Sequence, residues 1–524
     1  MAIAKITTLT PVHVGSGTTY NRNIDFVQEG GRIGIVDANK VAAQLSGDAD
    51  NITKQDVQAW VADIESDKPD TLKFLREKRG KKSVTVDDIS ERIIIALEAS
   101  AHVNTLKEQI RTFNEGAYLP GTSLKGAIRT AILNRLIVSV PFQARNHSVY
   151  REERKDRRTQ EVYGADYKGV KLEKKYLGND ANHDIMRLLL IGDAHFGDTI
   201  CLLAKTLNEK GNEHEIKESV TQFVECINQG EEALCQLNIS DDLVRQIDLP
   251  RFSEVAQKMP NRSAVATWSI VFQHINAHTL KQINTEITRY EPLNLPDGTA
   301  DFLEKMKDIK QLFNELSAEE CIIRVGFGTG YLSMTGGWVL EQLKSVANFD
   351  YAKELEYLGK AIRKKGGYNG MALPKSRKIG YEGIPLGFIK IKLLSDEEIK
   401  NWKQQNELKR LGKKQEQVNA AKLALANIET ARIRAEQEAK AARIAAEEAK
   451  KPKIFEGQIS KNLEVDAEVI VSGRPNRVKI YVKGFEERQF EMTDSAQQPK
   501  GYVCRVALVV EKGKVLRVRH IKPK

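Results

Sequence analysis

The stretch from residue 396 to about 452 constrains this chain more than any other. Its last part, "AAKLALANIETARIRAEQEAKAARIAAEEAKK", is built almost wholly from Ala, Glu, Lys, Gln and Arg, and the whole stretch has a lone glycine at Gly412 and no proline before Pro452. Such side chains lose little freedom in a helix, so the composition predicts one long helix. Its apolar positions, Leu423, Leu425, Ile428, Ile433 and Ile444, keep no strict heptad. That favours a solvated spacer over a coiled coil. The chain is thereby cut into 1–395 and 453–524, and each part must bury a core of its own.

The rest of the composition fits that division. At 524 residues the chain is too long for one hydrophobic core, and 41% hydrophobic with 29% charged residues describes a soluble globular protein. No run approaches the ~20 apolar residues of a membrane span. The opening "MAIAKITTLTPVHVG" alternates like a strand and has no signal-peptide pattern, so the cytoplasm is the expected compartment. Cys201, Cys226, Cys235, Cys321 and Cys504 form no C-x-x-C pair and are expected to be reduced, mostly buried thiols. The net charge of +10 is concentrated at one end: residues 451–524 hold 16 Lys and Arg against 9 Asp and Glu. An excess of this kind suits a polyanionic partner.

In 453–524, five β-branched runs are separated by Gly, Asn or Pro: "AEVIVSG", "RVKIYVKG", "RQFEM", "YVCRVALVV" and "KVLRVRHI". Five short strands in so few residues predict a small basic β-barrel of the oligonucleotide-binding type. Tyr481, Phe485, Phe490 and Tyr502 either offer stacking faces beside Arg477, Lys479, Arg488 and Arg505 or fill the barrel core.

The first 395 residues mix alternating strands, such as "GRIGIVD", with amphipathic helices, and they carry four glycine–cation elements. In "YLPGTSLKGAIRTAIL" (118–133) a Pro-Gly turn feeds a helix whose Leu124, Ile128, Ile132 and Leu136 repeat on one face. Thr122 or Ser123 can cap it, and Lys125 and Arg129 share another face near the start, where free N–H groups favour an anion. Gly126 leaves room for a ligand backbone. The G-x-x-x-x-G-K-[ST] nucleotide loop is absent, so a sugar-phosphate backbone is a better anion than a mononucleotide. A solvated surface helix is the plainer alternative. "LTPVHVGSG" (9–17) ends a strand with His13 and a Gly15-Ser16-Gly17 turn. "RVGFGTGYLSMTGG" (324–337) gathers Gly326, Gly328 and Gly330 around Arg324, Phe327 and Tyr331, and "PKSRKIG" (374–380) sets Lys375, Arg377 and Lys378 before a strand. Glycine loops expose amides and admit close approach of a ligand.

These motifs, with "DIMRLLLIGDA" (184–194) and "PLGFIKIKL" (385–393), stand in the order typical of the CRISPR-associated RAMP proteins. Together they most resemble the Csm-type subunits that cap the crRNA 3′ end in type III-A effector complexes. The resemblance covers most of 1–395 and implies an α+β fold of ferredoxin-like, RRM-related modules. It implies crRNA, and target RNA beside it, as ligands. It also implies assembly beside the repeating backbone subunit, with a part in crRNA 3′-end maturation and antiviral defence. Carried over, it puts His13, Gly15, Ser16 and Gly17 near RNA and makes Thr122, Ser123, Lys125 and Arg129 a helix-start phosphate site. Gly326, Gly328 and Gly330 become the signature loop, with Lys375 and Arg377 as further contacts. The helix and barrel after residue 395 lie outside the usual family pattern.

No cofactor or metal is expected. His274 and His278 stand four apart, yet lack the glutamate of H-E-x-x-H and an obvious third ligand. Asp184 and Asp193 read as capping or salt-bridge residues. The charged run 150–178 is either a solvated loop or a thumb-like insertion over guide or target. The favoured reading is a non-catalytic RNA-binding subunit. A rival makes His13 the general base of a metal-independent endoribonuclease that processes crRNA. In a third, the chain is a scaffold whose barrel recruits a separate host nuclease.

Overall fold

The computed structural model describes residues 2–46, 52–98, 101–112, 116–138, 151–167, 169–210, 213–240, 259–291, 295–296, 299, 301–333, 363–364, 367–368, 376–409 and 451–524, with single positions or pairs at 412, 437, 440–441 and 448. Contacts divide the chain into two compact units, 1–401 and 402–524. Residues 396–409 are helical, while most of the expected long helix, including Leu423, Leu425, Ile428, Ile433 and Ile444, lies outside the described residues. So do Lys375 and the 334–337 end of the glycine-rich motif.

The first unit is built on two sheets. One is five-stranded and antiparallel throughout, in the order Leu189–Ile191, Glu232–Ile239, Ala2–Thr8, Phe388–Leu394, Glu320–Arg324. Alternation along Ala2–Thr8 turns Ala4 and Ile6 inward. There they meet Leu124, Ile128 and Ile132 of the helix Gly121–Val138 and Val271, Phe272 and Ile275 of the helix Trp268–Tyr290. The four-residue repeat read in 118–133 is therefore core. The later half of the second helix buries Ile283, Ile287 and Tyr290 with Phe302, Met306, Ile322 and Phe388. Glu320–Arg324 is consequently buried along its whole length.

The other sheet runs in the order Gly15–Asn21, Thr105–Gln109, Gln222–Cys226, Ile200–Lys210, Ser90–Ala96, Arg32–Val36, Phe26–Glu29, with Ser376–Ile379 and Glu213–Ile216 pairing the far end of Ile200–Lys210. Phe26, Ile33, Ile94, Leu106, Cys201 and Phe223 form its core. Chain segments pass from one sheet to the other between Thr8 and Gly15, and again between Ile379 and Phe388. These crossings position the site.

The charged run 150–178 folds as a hairpin of Arg151–Lys155 and Val162–Tyr167 with an exposed turn, followed by the helix Gly169–Tyr176. All five cysteines are free and buried. Among the described residues no helix is long and apolar enough to cross a membrane.

In the second unit all five strands expected after residue 453 form, and they close into a barrel in the order Glu464–Val471, Asn476–Ile480, Gln489–Thr493, Lys514–Pro523, Val503–Glu511. Gln489–Thr493 and Lys514–Pro523 pair in parallel and every other pair is antiparallel. Val465, Val478, Phe490, Val506 and Val518 fill it, with Phe485 and Tyr502 packed against that core. Tyr481 is half-buried and donates its hydroxyl to Glu468 at 2.5 Å. Of the four aromatics, Phe490 is thus interior and the others are shared between core and surface.

Candidate nucleic-acid interface

The first glycine turn and the signature loop meet. Phe327 N donates to the His13 carbonyl at 2.8 Å, Val325 N to Gly387 O at 2.8 Å and Gly387 N to Pro11 O at 2.9 Å. Three crossing segments are thereby laced together where the two sheets join. Their spacing requires glycine: a Cβ on Gly326 (φ +75°) would lie 2.2 Å from His13 O, and one on Gly387 (φ +90°) 2.2 Å from Val325 O. L side chains disfavour that φ, and neither position has room for one.

A cleft of about 360 Å³ opens beside this lacing. His13, Val14, Gly15, Gly17 and Thr18 line one side, Lys107 and Glu108 the floor, and Gly326 and Phe327 the other side. Gly15 pairs Gln109 and Thr19 pairs Lys107, so residues 16–18 bulge from an exposed strand at one end of the sheet order. The half-buried Phe327 ring has Lys107 Nζ at 5.3 Å and Lys378 Nζ at 6.0 Å from its centre. Burial, and then the charge of Lys107, lower the Lys378 pKa. Glu108 brings the opposite charge, but its oxygens already accept from Ser16 Oγ at 2.8 Å, Tyr20 OH at 2.6 Å and Arg92 at 3.2 Å. Burial alone pushes its pKa up; these hydrogen bonds and the Arg92 charge outweigh it and leave the carboxyl below its usual value. Tyr20, half-buried and hydrogen-bonded to Glu108, is pushed up to about 12, by burial first and then by that carboxylate.

His13 is buried, at 2% exposure, and its Nδ1 lies 2.6 Å from the Glu225 carbonyl. A carbonyl only accepts, so Nδ1 carries the proton and Nε2 keeps a lone pair on the Gly15 side. The ring packs edge-on against Phe327 at 5.6 Å. Burial lowers its pKa, and the imidazole is neutral at pH 7. The Glu225 side chain is wholly buried, takes Arg92, Thr199 Oγ1 (2.6 Å) and Gln109 N (3.2 Å), and holds the floor strands in place.

Two expectations need correction. Arg377 does not face solvent: it is 1% exposed and pairs with Glu286, while its Nη1 donates to Thr329 O at 2.9 Å. Arg324 meets the same carboxylate at 2.9 Å and donates to Leu386 O. Arg377 therefore braces the signature loop from inside, and a Cβ on Gly330 would lie 1.9 Å from its Nη1. Strand alternation turns Lys378 outward instead, where its ammonium also donates to Val220 O at 3.1 Å. The second correction concerns the helix start. Lys125 Nζ donates to Leu189 O at 2.8 Å, and Arg129 pairs with Asp184 at 2.6 Å and Glu173 at 3.2 Å. Burial lowers the Lys125 pKa. Gly121 N donates to Asp193 at 2.7 Å, so the chain's own carboxylate sits at this helix end. Asp184 and Asp193 are the capping and pairing residues expected, and the two cations are not free for phosphate. Thr122 is exposed and Ser123 half-buried there. Gly328 (φ +84°) packs on Leu386.

His278 is buried, with Gln282 at 3.0 Å, and its pKa is pushed down to about 4 by burial. No group of three metal-ligating side chains occurs among the described residues. Sequence reasoning missed Lys107, Glu108, Glu225 and Glu286, which lie on strands or a helix far from any glycine motif.

Two sheets laced by glycine crossings, with an aromatic ring approached by two ammonium groups at the junction, define a glycine-loop α+β protein. The chain belongs to the RAMP superfamily, whose family model matches residues 5–333. Among solved structures, a chain in the "Cryo-EM structure of Csm-crRNA-target RNA ternary complex in type III-A CRISPR-Cas system" is similar in fold. Its TM-score is 0.50 at 17% identity, over 75% of this chain and 100% of that one. The crystal structure of T. onnurineus Csm5 gives 0.43 at 16% identity, over 74% and 99%. No curated protein matches in sequence.

Proposed function

We propose that the chain is an RNA-holding subunit of a type III CRISPR effector complex. It grips the 3′ portion of the crRNA in the Gly15–Phe327 cleft and caps the repeating backbone subunit, with target RNA alongside. Guide contact supports crRNA 3′-end maturation without chemistry of its own. The observation that carries this reading is the convergence of two glycine turns on Phe327, which Lys107 and Lys378 approach. Amides and ammonium groups suit phosphates, and the ring suits a base, so recognition is by shape and insensitive to sequence. Family membership and the fold likeness to a chain from a crRNA-containing complex support it. The five-stranded sheet is read as a ferredoxin-like module with Glu320–Arg324 as an added edge strand. Its support is the chain order strand–helix–strand–strand–helix–strand.

The test places a photo-crosslinking amino acid at Phe327 in the reconstituted complex and maps the crosslinked nucleotide. Crosslinks in the 3′ portion of the guide are expected; crosslinks confined to its 5′ end overturn the reading. One observation favours the rival endoribonuclease: the His13 tautomer leaves Nε2 basic toward the cleft. Incubation of the protein with repeat RNA in EDTA separates the two, because cleavage abolished by His13→Gln would establish the rival.

A further inference from the structure

The last strand of the C-terminal barrel has no part in the cleft, and its charge is one-sided. Lys512, Lys514, Arg517, Arg519 and Lys522 are all exposed, and no acidic residue occurs between Lys512 and the end of the strand. Sheets ordinarily set opposite charges across from each other. Here Arg517 lies opposite Val509, Arg519 opposite Ala507 on one side and Thr493 on the other, and Lys522 opposite Arg505. Two cations directly across a ladder destabilise it unless an anion is shared between them.

Two of the nearby carboxylates are already engaged. Glu464 holds Arg505 at 3.6 Å, and Asp466 takes Lys524 and accepts from Lys453 N at 2.8 Å. Glu511 stands in register with Lys514, and exposed Glu491 stands in register with Arg477 on one side and, by the parallel register of Met492 with Val518, beside Arg517 on the other. Among the described residues no ion pair joins Glu491 to Arg517. Tyr502 and His520, which stack at 6.2 Å with an interplanar angle of 29°, lie on the other side of the ladder, Tyr502 against the barrel core and His520 in register with buried Val506. Leu516, 54% exposed, adds an uncovered apolar side chain.

We propose that this outer face, carrying Arg505, Arg517, Arg519 and Lys522, is a second binding surface for single-stranded RNA. Alternate residues of a strand stand about 6.6 Å apart, close to the phosphate spacing of an extended polynucleotide. Arg517 and Arg519 thus take successive phosphates, and the next phosphate lies between Arg505 and Lys522. This surface is independent of the Gly15–Phe327 cleft, and either assignment stands if the other fails.

The test uses the full chain with Arg517→Gln, Arg519→Gln and Lys522→Gln combined, a fluorescent oligouridylate, and salt from 50 to 200 mM. Loss of three phosphate contacts lowers the log–log salt slope by about 2, so the variant's affinity falls about 20-fold less than that of wild type across this range. Combined with Lys107→Gln and Lys378→Gln, the losses add, as for sites that share no partners. A charge-retaining variant, Arg517→Lys with Arg519→Lys and Lys522→Arg, keeps the wild-type slope. Three results overturn the proposal: an unchanged slope in the glutamine variant, equal loss in the charge-retaining variant, or tighter binding of an RNA duplex than of the single strand.

Discussion

Replacing Gly326 by alanine tests the lacing of the two glycine loops. Its φ of +75° places an L residue in the left-handed region, which costs about 1–2 kcal/mol. The new methyl would lie 2.2 Å from the His13 carbonyl oxygen, and that carbonyl already accepts Phe327 N at 2.8 Å. Relief of the clash therefore breaks a hydrogen bond with a net value of about 1 kcal/mol. The sum is about 2–3 kcal/mol. Gly17→Ala is the control: its φ of +98° carries the same conformational cost, but the added methyl meets open space. Urea unfolding of both variants should show Gly326→Ala less stable than Gly17→Ala by about 1 kcal/mol. Spreading His13 from Phe327 also displaces the ring from the lysines, so single-stranded RNA affinity, read by fluorescence anisotropy, should fall about tenfold, or about 1.4 kcal/mol. Equal stability of the two variants, with wild-type RNA affinity in Gly326→Ala, would refute the reasoning.

The other predictions concern positions whose surroundings are equally explicit. Lys125→Ala with Arg129→Ala removes internal partners of Leu189 O, Asp184 and Glu173. It should lower thermal stability by about 1–3 kcal/mol and leave the salt slope of RNA binding unchanged, whereas a lowered slope would restore the helix-start phosphate site. His278 stays neutral in the folded chain down to about 4, while the unfolded chain takes up its proton below 6.5. Stability present at pH 7 is therefore lost as the pH falls from 6.5 toward 4, by about 3 kcal/mol. His278→Gln should flatten that fall in pH-dependent denaturation, and an unchanged profile would contradict it.

The sequence was most legible where backbone geometry demands one residue type. Gly326, Gly328 and Gly330 all adopt positive φ, and only glycine does so without strain, so the loop is written in the sequence itself. Leu124, Ile128 and Ile132 were readable as core because helical period alone selects them. The barrel strands were readable because turns separate β-branched runs, although their closure through a parallel pair leaves no local trace. Arg377 and Lys378 show the limit: two adjacent cations on a strand face opposite ways, and which faces inward depends on Glu286, far away on a helix. Lys107 and Glu225 likewise enter the site only through strand pairing of Gly15 with Gln109 and of Val224 with Lys107. Lys125 and Arg129 carry no sign of their partners in the sequence, because Asp184 and Glu173 reach Arg129, and Leu189 O reaches Lys125, only on folding.

The most direct measurement is the salt dependence of single-stranded RNA binding by the full chain carrying Lys107→Gln and Lys378→Gln. These ammonium groups approach Phe327, and removing two phosphate contacts should weaken binding alike for all RNA sequences while lowering the log–log slope by about 1.4. A wild-type affinity and slope in this double variant would mean that RNA is held elsewhere.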